Sequence, residues 1–564
     1  MAWNIKKKYL DLSAREDSGQ KKIWGDYITV CLAYPNRYRT GMSNLGFQTV
    51  YRMINNHPSF LCERVFLPDP EDEEAFASGS TPLFSLESQK PIREFDCIAF
   101  SIPFENDYPN ILKMLDMAGI PLRADRREEN TPLVIGGGFT VSLNPEPLSD
   151  FFDLFLLGEG EGMVPEFLDE LEAVHKGGLS RREAFHRFQT GLSGAYCPRF
   201  YQIDYKQDIG IESFKPLDPS YPEKIKRRQV TLIDDFITDQ CVLTPETEFA
   251  GIYLVEVSRG CHRGCRFCAS GFVGRPARFR TQKGLSPSID RGLRINQKIG
   301  LLGTAVSDTP DLPAICRSII DGGGKFTIGS LRVDRINEEI AALLRKAGAE
   351  TVALAPEAGS QRLRDVIHKG ITEEHIFAAA SILLEQGITN IRLYFMVGLP
   401  TETADDIEAI IDLVKKIKHH AVKSTAGKRS FRLITVSVNQ FIPKAVTPFQ
   451  WQPLEDINNV RKKMKRIASA LRREKAIKVI HDLPKWNYIQ ALLSLGDRRV
   501  GKILLAAHRY DGNWSRAMKE VNVNPDFYVY RRKDVNEILP WDFIDHGVKK
   551  TLLIRESEKA FRDV

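Results

Sequence analysis

The sequence predicts an α/β chain of three units, and three observations carry that reading. Short apolar runs alternate with segments of helical spacing in two stretches, residues 27–157 and 252–438. Glycines gather where apolar runs end, as GGG at 136–138, GEGE at 158–161 and GLPTET at 398–403. After Trp451 the chain turns basic and helical, as in RKKMKRIASALRREKAIK from Arg461 to Lys478. These give an N-terminal arm over residues 1–24, a doubly wound parallel sheet over 25–170 and a connecting segment over 171–250. A partial or full (β/α) barrel over 251–450 and a mainly helical C-terminal domain over 451–564 complete the expectation.

In the first unit, residues 27–33 form an apolar strand, followed by a glycine-containing loop and a helical stretch over 44–55. Residues 64–67 are extended, 97–102 form a second apolar run, 108–118 have helical spacing, and 133–135 lead into the GGG. A last strand over 152–157 ends at GEGE. Parallel sheets bind ligands at the carboxyl ends of their strands, where these glycines fall. The second unit places strands at 252–257, 299–303, 327–333, 351–354, 391–397 and 433–438, with helices such as 337–347 and 373–385 between them. The working face of such a barrel is again the carboxyl end of its strands.

Composition bounds what the chain can do. Its 564 residues are 43% hydrophobic and 27% charged, enough for several packed domains. A net charge of +6 is small for this length, so bulk electrostatics give no argument for a membrane surface or nucleic acid. The first residues, MAWNIKKKYLDLSARED, lack the apolar stretch of a secretion signal, and no run of eighteen apolar residues follows. A cytoplasmic protein without membrane spans is expected. In that reducing compartment the nine scattered cysteines serve as thiols or metal ligands.

Three of the nine are clustered in VEVSRGCHRGCRFCASGF, just past the first barrel strand. Cys261, Cys265 and Cys268 can supply three thiolates to a cubane cluster, leaving its fourth iron open to an outside ligand. Gly260 and Gly264 relieve the steric limits on so short a loop. Arg259, Arg263 and Arg266 add positive charge that would lower the thiol pKa, or are solvated surface residues. The competing chemistries are a zinc site with His262 as a fourth ligand and a redox pair at Cys265 and Cys268. Zinc favours two separated ligand pairs, whereas His262 is bonded directly to Cys261.

With these residues in place, the loop resembles that of the radical S-adenosylmethionine (SAM) superfamily, in which an aromatic residue, here Phe267, precedes the last cysteine. The resemblance implies a [4Fe–4S] cluster whose open iron chelates SAM. One electron then cleaves SAM to methionine and a 5′-deoxyadenosyl radical. It also implies an electron donor such as a flavodoxin or ferredoxin. Gly303 and Thr304 stand where the family commonly has a Gly-Gly-Glu turn at the methionine amino group. Glu357, in ALAPEAGS, matches an acidic residue near the ribose hydroxyls, and Gly398, Pro400 and Glu402 resemble the GLPGET signature. Capping of helix starts is the alternative role for Glu357 and Glu402.

A doubly wound sheet ahead of such a barrel is similar to the cobalamin-binding class of these enzymes. GGG, NPEPL from Asn144 and GEGE with Glu159, Gly160 and Glu161 resemble its landmarks. Methyltransferase cobalamin domains carry DxHxxG, with histidine as the lower axial ligand. Residues 36–41 keep the spacing but have Asn36 and Tyr38 in place of aspartate and histidine. Tyr38, Gly41, Asn44, Gly46, Ser101, Gly136 and Gly137 are the candidate corrinoid contacts. A nucleotide-binding-like support domain is the alternative. Together with VSVNQFIPKAVTPFQW, LSLGDRRVGK and LPWDFIDHGVKK, the pattern resembles an uncharacterised bacterial family of cobalamin-binding-domain radical SAM proteins. The reaction it implies is methylation of an unactivated carbon. Radical rearrangement, ring closure or oxidation assisted by cobalamin is a second reading, and a cluster-bearing regulatory protein with little turnover is a third. PKAVTPFQW lines a substrate pocket at the barrel mouth or ties the last domain to the barrel. In the basic stretch Met464, Ile467, Leu471 and Ile477 recur near helical spacing, which favours a solvated amphipathic helix over a nucleic-acid contact.

Overall fold

The computed structural model describes residues 2–18, 22–77, 81–206, 210–424 and 429–562. Five parallel strands build the first sheet: β1 (Ile28–Tyr34), β2 (Phe60–Phe66), β3 (Cys97–Ser101), β4 (Leu133–Gly137) and β5 (Leu154–Leu156). A short antiparallel strand, β6 (Ala195–Tyr196), adds the far edge. Their order is β2-β1-β3-β4-β5-β6, so the winding reverses between β1 and β3 and opens a crevice at the carboxyl ends there. Every residue of β1 and β2 is buried, as helices on both faces of a parallel sheet require.

Strand β2 begins at Phe60, four residues before the extended run expected at 64–67. Its charged centre, Glu63-Arg64, hides the pattern in the sequence because both charges are satisfied inside. Arg64 binds Glu16 at 2.6 Å and Glu87 at 2.7 Å, while Glu63 accepts from Trp24 at 2.6 Å. Helix Leu45–Asn56 starts where Asn44 accepts from the Phe47 N–H at 2.9 Å, and helix Gly160–Gly177 follows β5 directly. That helix runs past residue 171. Helix Arg181–Gly191, closed by a Ser180/Glu183 capping box, then leads to β6.

The second sheet system is β8-β7-β9-β10 followed by β11-β12-β13-β14. Its members are β7 (Tyr253–Arg259), β8 (Arg278–Phe279), β9 (Lys298–Gly303), β10 (Lys325–Ile328), β11 (Thr351–Glu357), β12 (Asn390–Val397), β13 (Leu433–Gln440) and β14 (Ile477–His481). All pairings are parallel except that of β8, and a parallel bridge between Leu331 and Leu354 joins the halves into a partial barrel. The strand expected over 327–333 stops at Ile328, and Val333–Arg335 is a helical turn.

The region after Trp451 departs most from expectation. Asp456 caps helix Ile457–Leu471, whose Val460, Met464, Ile467 and Leu471 enter the barrel core. Ile477 is not on that helix. The four charged residues 472–475 offer no apolar residue to continue its buried stripe, Ala476 turns with φ 65°, and Ile477 opens β14. The barrel sheet therefore continues through His481.

Later helices, among them Pro484–Leu495 and Val500–Arg509, leave the barrel and pack on the first domain. Leu492, Leu493, Ile503 and Leu504 share one core with Ile98, Phe100, Ile111 and Leu115. The NPEPL and LGDRRVGK motifs meet there. The Asn144 amide donates to the carbonyls of Ser494 at 3.1 Å and Gly496 at 2.8 Å, and Arg498 reaches Glu146 at 3.1 Å. Among the described residues no helix is long and apolar enough to cross a membrane.

Candidate functional site

Strand β7 ends at Arg259, and the chain turns at Gly260 with φ 77°. A Cβ there would stand 1.8 Å from the Gly274 carbonyl oxygen, so the two ends of the cysteine loop touch backbone to backbone. Gly264 has φ 74°, and its Cβ would lie 2.5 Å from the Arg275 guanidinium. Inside the loop the Cys268 N–H donates to Cys265 O at 3.0 Å and the Gly271 N–H to Cys268 O at 3.1 Å, leading into the short helix Ser270–Val273. The segment beyond β11 grips it from outside. The Arg266 N–H donates to Ile367 O at 3.0 Å, its guanidinium to Val366 O at 2.8 Å, and a His368 ring nitrogen lies 3.2 Å from Gly264 O.

Cys265 is buried, and Cys261 and Cys268 are half-buried. Burial pushes the Cys265 thiol up and the Cys268 thiol up to about 11, and the Cys265 charge adds to the latter. The cations that oppose burial at Cys265 are Lys369 and Arg332. The loop arginines are held by acids and carbonyls, and Arg263 also interacts with the Cys261 thiolate. Arg259 binds Glu161 and Glu256, both at 2.7 Å, Arg263 binds Asp308 at 2.9 Å, and Arg266 faces carbonyls and Glu556. Spacing gave no signal for Lys369 or Arg332, because both arrive from loops far along the chain, Arg332 beyond β10 and Lys369 beyond helix Gln361–Val366. His262 is exposed. Among the described residues the group converging at single-ion spacing is Asp69, Glu71 and Asp72, all bound to Lys8 Nζ.

A cavity of about 520 Å³ lies between the two domains, within the range of cofactor sites. The first sheet contributes Asn44, Gly46, Ser101, Gly136, Gly137, Glu159, Gly160 and Glu161, and the barrel adds Ser258, Gly260, Ser270, Gly303 and Thr304. Gly303 is needed for close approach, since its Cβ would meet Ser258 Oγ at 2.2 Å. Gly137 leaves room, its Cβ meeting nothing nearer than a carbonyl oxygen at 3.7 Å. Ser258 Oγ is buried on the wall of this cavity and has no hydrogen-bond partner. An orphaned hydroxyl, a row of glycines and an adjacent three-thiol loop fit a bound cofactor.

Residues 46–198 match the family of radical SAM proteins, N-terminal, and residues 255–414 match the radical SAM superfamily. The uncharacterised protein MJ0966 of Methanocaldococcus jannaschii is 30% identical over 478 residues, spanning 84% of this chain and 90% of that protein. The chain belongs to the radical SAM superfamily. It is also similar to an uncharacterised methyltransferase, PH0819, of Pyrococcus horikoshii, at 33% identity over 323 residues, 54% of this chain and 62% of that one. A solved structure of the cobalamin-dependent SAM radical enzyme OxsB, with aqua-cobalamin and SAM bound, aligns with 95% of this chain and 79% of its own. Its identity is 14% and its TM-score 0.49.

In this radical SAM enzyme the expected site residues fall into three groups. Asn44, Gly46, Ser101, Gly136, Gly137, Glu159, Gly160, Glu161, Gly303 and Thr304 all reach the cavity. Tyr38 and Gly41 do not line it. The Tyr38 hydroxyl donates to Glu16 at 2.6 Å, its ring meets Phe66 edge-on, and a Cβ on Gly41 would lie 2.5 Å from Phe66. Phe267, Glu357 and Gly398 stand on the barrel side. Glu357 takes φ 68° at a bulge in β11 and accepts from Lys369 Nζ at 2.9 Å, and Phe267 packs on a cluster with Leu363 and Phe449. Gly398 N–H donates to Glu402 at 2.9 Å, and Lys463 reaches the same carboxylate at 2.6 Å. Neither acid caps a helix. Ser360 holds the N-terminus of helix Gln361–Val366, and Asp406 accepts from the Thr403 N–H.

The GEGE acids have a second role that their spacing concealed. Glu159 binds Arg278 at 2.7 Å and Arg259 at 3.2 Å, and Glu161 binds Arg259, clasping the first domain to the strand that carries the cysteine loop. Burial pushes the Glu159 carboxyl up, but the hydrogen bonds from Arg278 and the charge of Arg259 outweigh it and hold it below the usual range. A depressed carboxylate stabilises the fold above its unfolded pKa of about 4.3 and loses that contribution as pH falls through the lower folded value. Glu159→Gln is therefore expected to lower stability at pH 7 and to flatten the acid limb of a stability–pH curve below about pH 4.3. Urea midpoints measured across that range check it.

Gly260→Ala tests the turn. A left-handed residue costs about 1–2 kcal/mol when it carries a Cβ, and the clash with the Gly274 carbonyl adds to that. The variant is expected to fold less stably and to retain far less iron and sulfide per chain after anaerobic reconstitution.

Proposed function

We propose that this radical SAM enzyme holds a [4Fe–4S] cluster on Cys261, Cys265 and Cys268 and a corrinoid in the cavity beside it, and methylates an unactivated carbon of its substrate. The observation that carries the reading is the single cavity in which the glycine-rich strand ends of the first sheet face the start of the cysteine loop. When bound, these cofactors supply the electron that cleaves SAM to a 5′-deoxyadenosyl radical and a transferable methyl group.

The chain's own residues prepare the place. Three thiolates leave one iron without a protein ligand, and Lys369 and Arg332 offset the charge of an anionic cluster. Ser258 and Thr304 offer hydroxyls to the bound groups, while apolar residues such as Leu302 and Val273 keep water from the reacting centre. Tyr38 is turned to Glu16 and does not line the cavity, so it would not hold a corrinoid bound there. A flavodoxin or ferredoxin serves as electron donor in this reading, and the name of the Pyrococcus relative is consistent with methyl transfer.

Two measurements test it. Protein purified anaerobically from cells grown with hydroxocobalamin is expected to yield extractable corrinoid; cluster-loaded protein without it would remove the corrinoid from the proposal. With cell extract as substrate source, label from the SAM methyl group is expected to enter a product. Deoxyadenosine formed without a labelled product would replace methylation by rearrangement, ring closure or oxidation.

A further inference from the structure

Charge is unevenly placed on this chain. Residues 461–485 contain ten Lys and Arg against two acids, while the whole chain nets only +6. Lys463 and Arg466 are committed to Glu402 and Glu408. The other eight, Arg461, Lys462, Lys465, Arg472, Arg473, Lys475, Lys478 and Lys485, are all exposed, and none has an ion pair among the described residues.

The fold arranges them as a band. Burial of Val460, Met464, Ile467 and Leu471 in the barrel core turns the opposite face of helix Ile457–Leu471 to solvent. Arg461, Lys465 and Arg472 follow that face at steps of four and seven, with Lys462 and Arg473 beside them, over about 16 Å. Lys478 continues the band on β14, the edge strand of its sheet, and Lys485 extends it onto the next helix. At that end Trp486 is 44% exposed and Leu483 63% exposed, with Lys485 Nζ 5.5 Å from the Trp486 ring centre. An unpaired cationic band ending on an exposed indole combines phosphate-tracking charge with a stacking platform. An indole stacks on a base only when that base has left its helix, as loops of folded RNA allow. The band follows the outer helix layer of the last strand, far round the barrel order from β7 and its cysteine loop, which suits a long polyanion better than a small electron donor.

We propose that this flank binds RNA, its cations tracking the phosphates of a single-stranded stretch and Trp486 stacking on a base. The inference goes beyond the cofactor reading and does not depend on it. The experiment uses the full chain and a fluorescein-labelled stem-loop oligoribonucleotide of mixed sequence, read by anisotropy. Binding is expected to weaken with salt, with a log–log slope of about −0.7 for each phosphate contacted. Charge reversal in an R461E/K465E/R472E variant is expected to weaken binding at least about tenfold near 100 mM salt and to reduce the slope. Cluster content and thermal midpoint should stay unchanged. Trp486→Ala should weaken binding to the loop more than to an equally charged duplex. Undetectable RNA binding at micromolar protein, or binding that survives the charge reversal, overturns the proposal. So would saturable binding of an acidic flavodoxin at this flank, lost in the same variant, in the absence of RNA binding.

Discussion

Cys265→Ala protein, reconstituted anaerobically with iron and sulfide, is expected to lack the absorbance of a [4Fe–4S] cluster and to form no deoxyadenosine from SAM. Cys265 is the buried member of the three and faces the charges of both Lys369 and Arg332. Two remaining thiolates cannot hold three irons, and no other cysteine belongs to this loop. Cys316→Ala is the control. That thiol is buried in the barrel core, so its removal should cost stability while leaving the cluster spectrum intact. A Cys265→Ala protein that kept a normal cluster spectrum would remove the ligand assignment.

Glu146→Ala should give the second large effect, this one on stability. The Glu146 side chain is fully buried and takes an Arg498 nitrogen at 3.1 Å, the Ser149 hydroxyl at 3.0 Å and the Tyr196 hydroxyl. Removing it leaves Arg498 without its partner carboxylate, and the loss of one member of a buried pair costs about 3–5 kcal/mol. The low end applies because 21% of the Arg498 side chain reaches solvent. Urea unfolding should show the loss, with hydrogen exchange fastest to rise in helix Pro484–Leu495. Glu146→Gln keeps most of the hydrogen bonds and should cost less. Combining Glu146→Leu with Arg498→Met removes both charges and should recover much of the stability. A double variant as unstable as Glu146→Ala would mean that shape, not charge, governs this contact.

Parallel strands buried on both faces leave continuous apolar runs, which is why β1, β3 and most of the barrel were legible in the sequence. The cysteine spacing and the glycines at strand ends were legible because each answers a local steric or ligand requirement. Where the sequence misled, the cause was distant. Glu63-Arg64 interrupts β2 with charges whose partners, Glu16, Glu87 and Trp24, lie in other segments. Arg259 stands in the cysteine motif yet belongs to the GEGE clasp, while Lys369 and Arg332 face the thiols from far along the chain. The basic helix was legible to Leu471, but the return of the chain to the barrel at β14 was not, because its strand follows a charged turn with no apolar signal. Tyr38 held the spacing of a ligand motif, and the tertiary structure spends it on Glu16.

The sharing of one core by Ile98, Phe100 and Ile111 with Leu492, Leu493 and Ile503 bears on how the protein is made. The first domain leaves the ribosome with part of that core, beside helix Tyr108–Met117, still open, and Asn144 meets Ser494 only after 350 further residues have been synthesised. Contacts so distant in sequence close late, after the barrel that lies between them has folded.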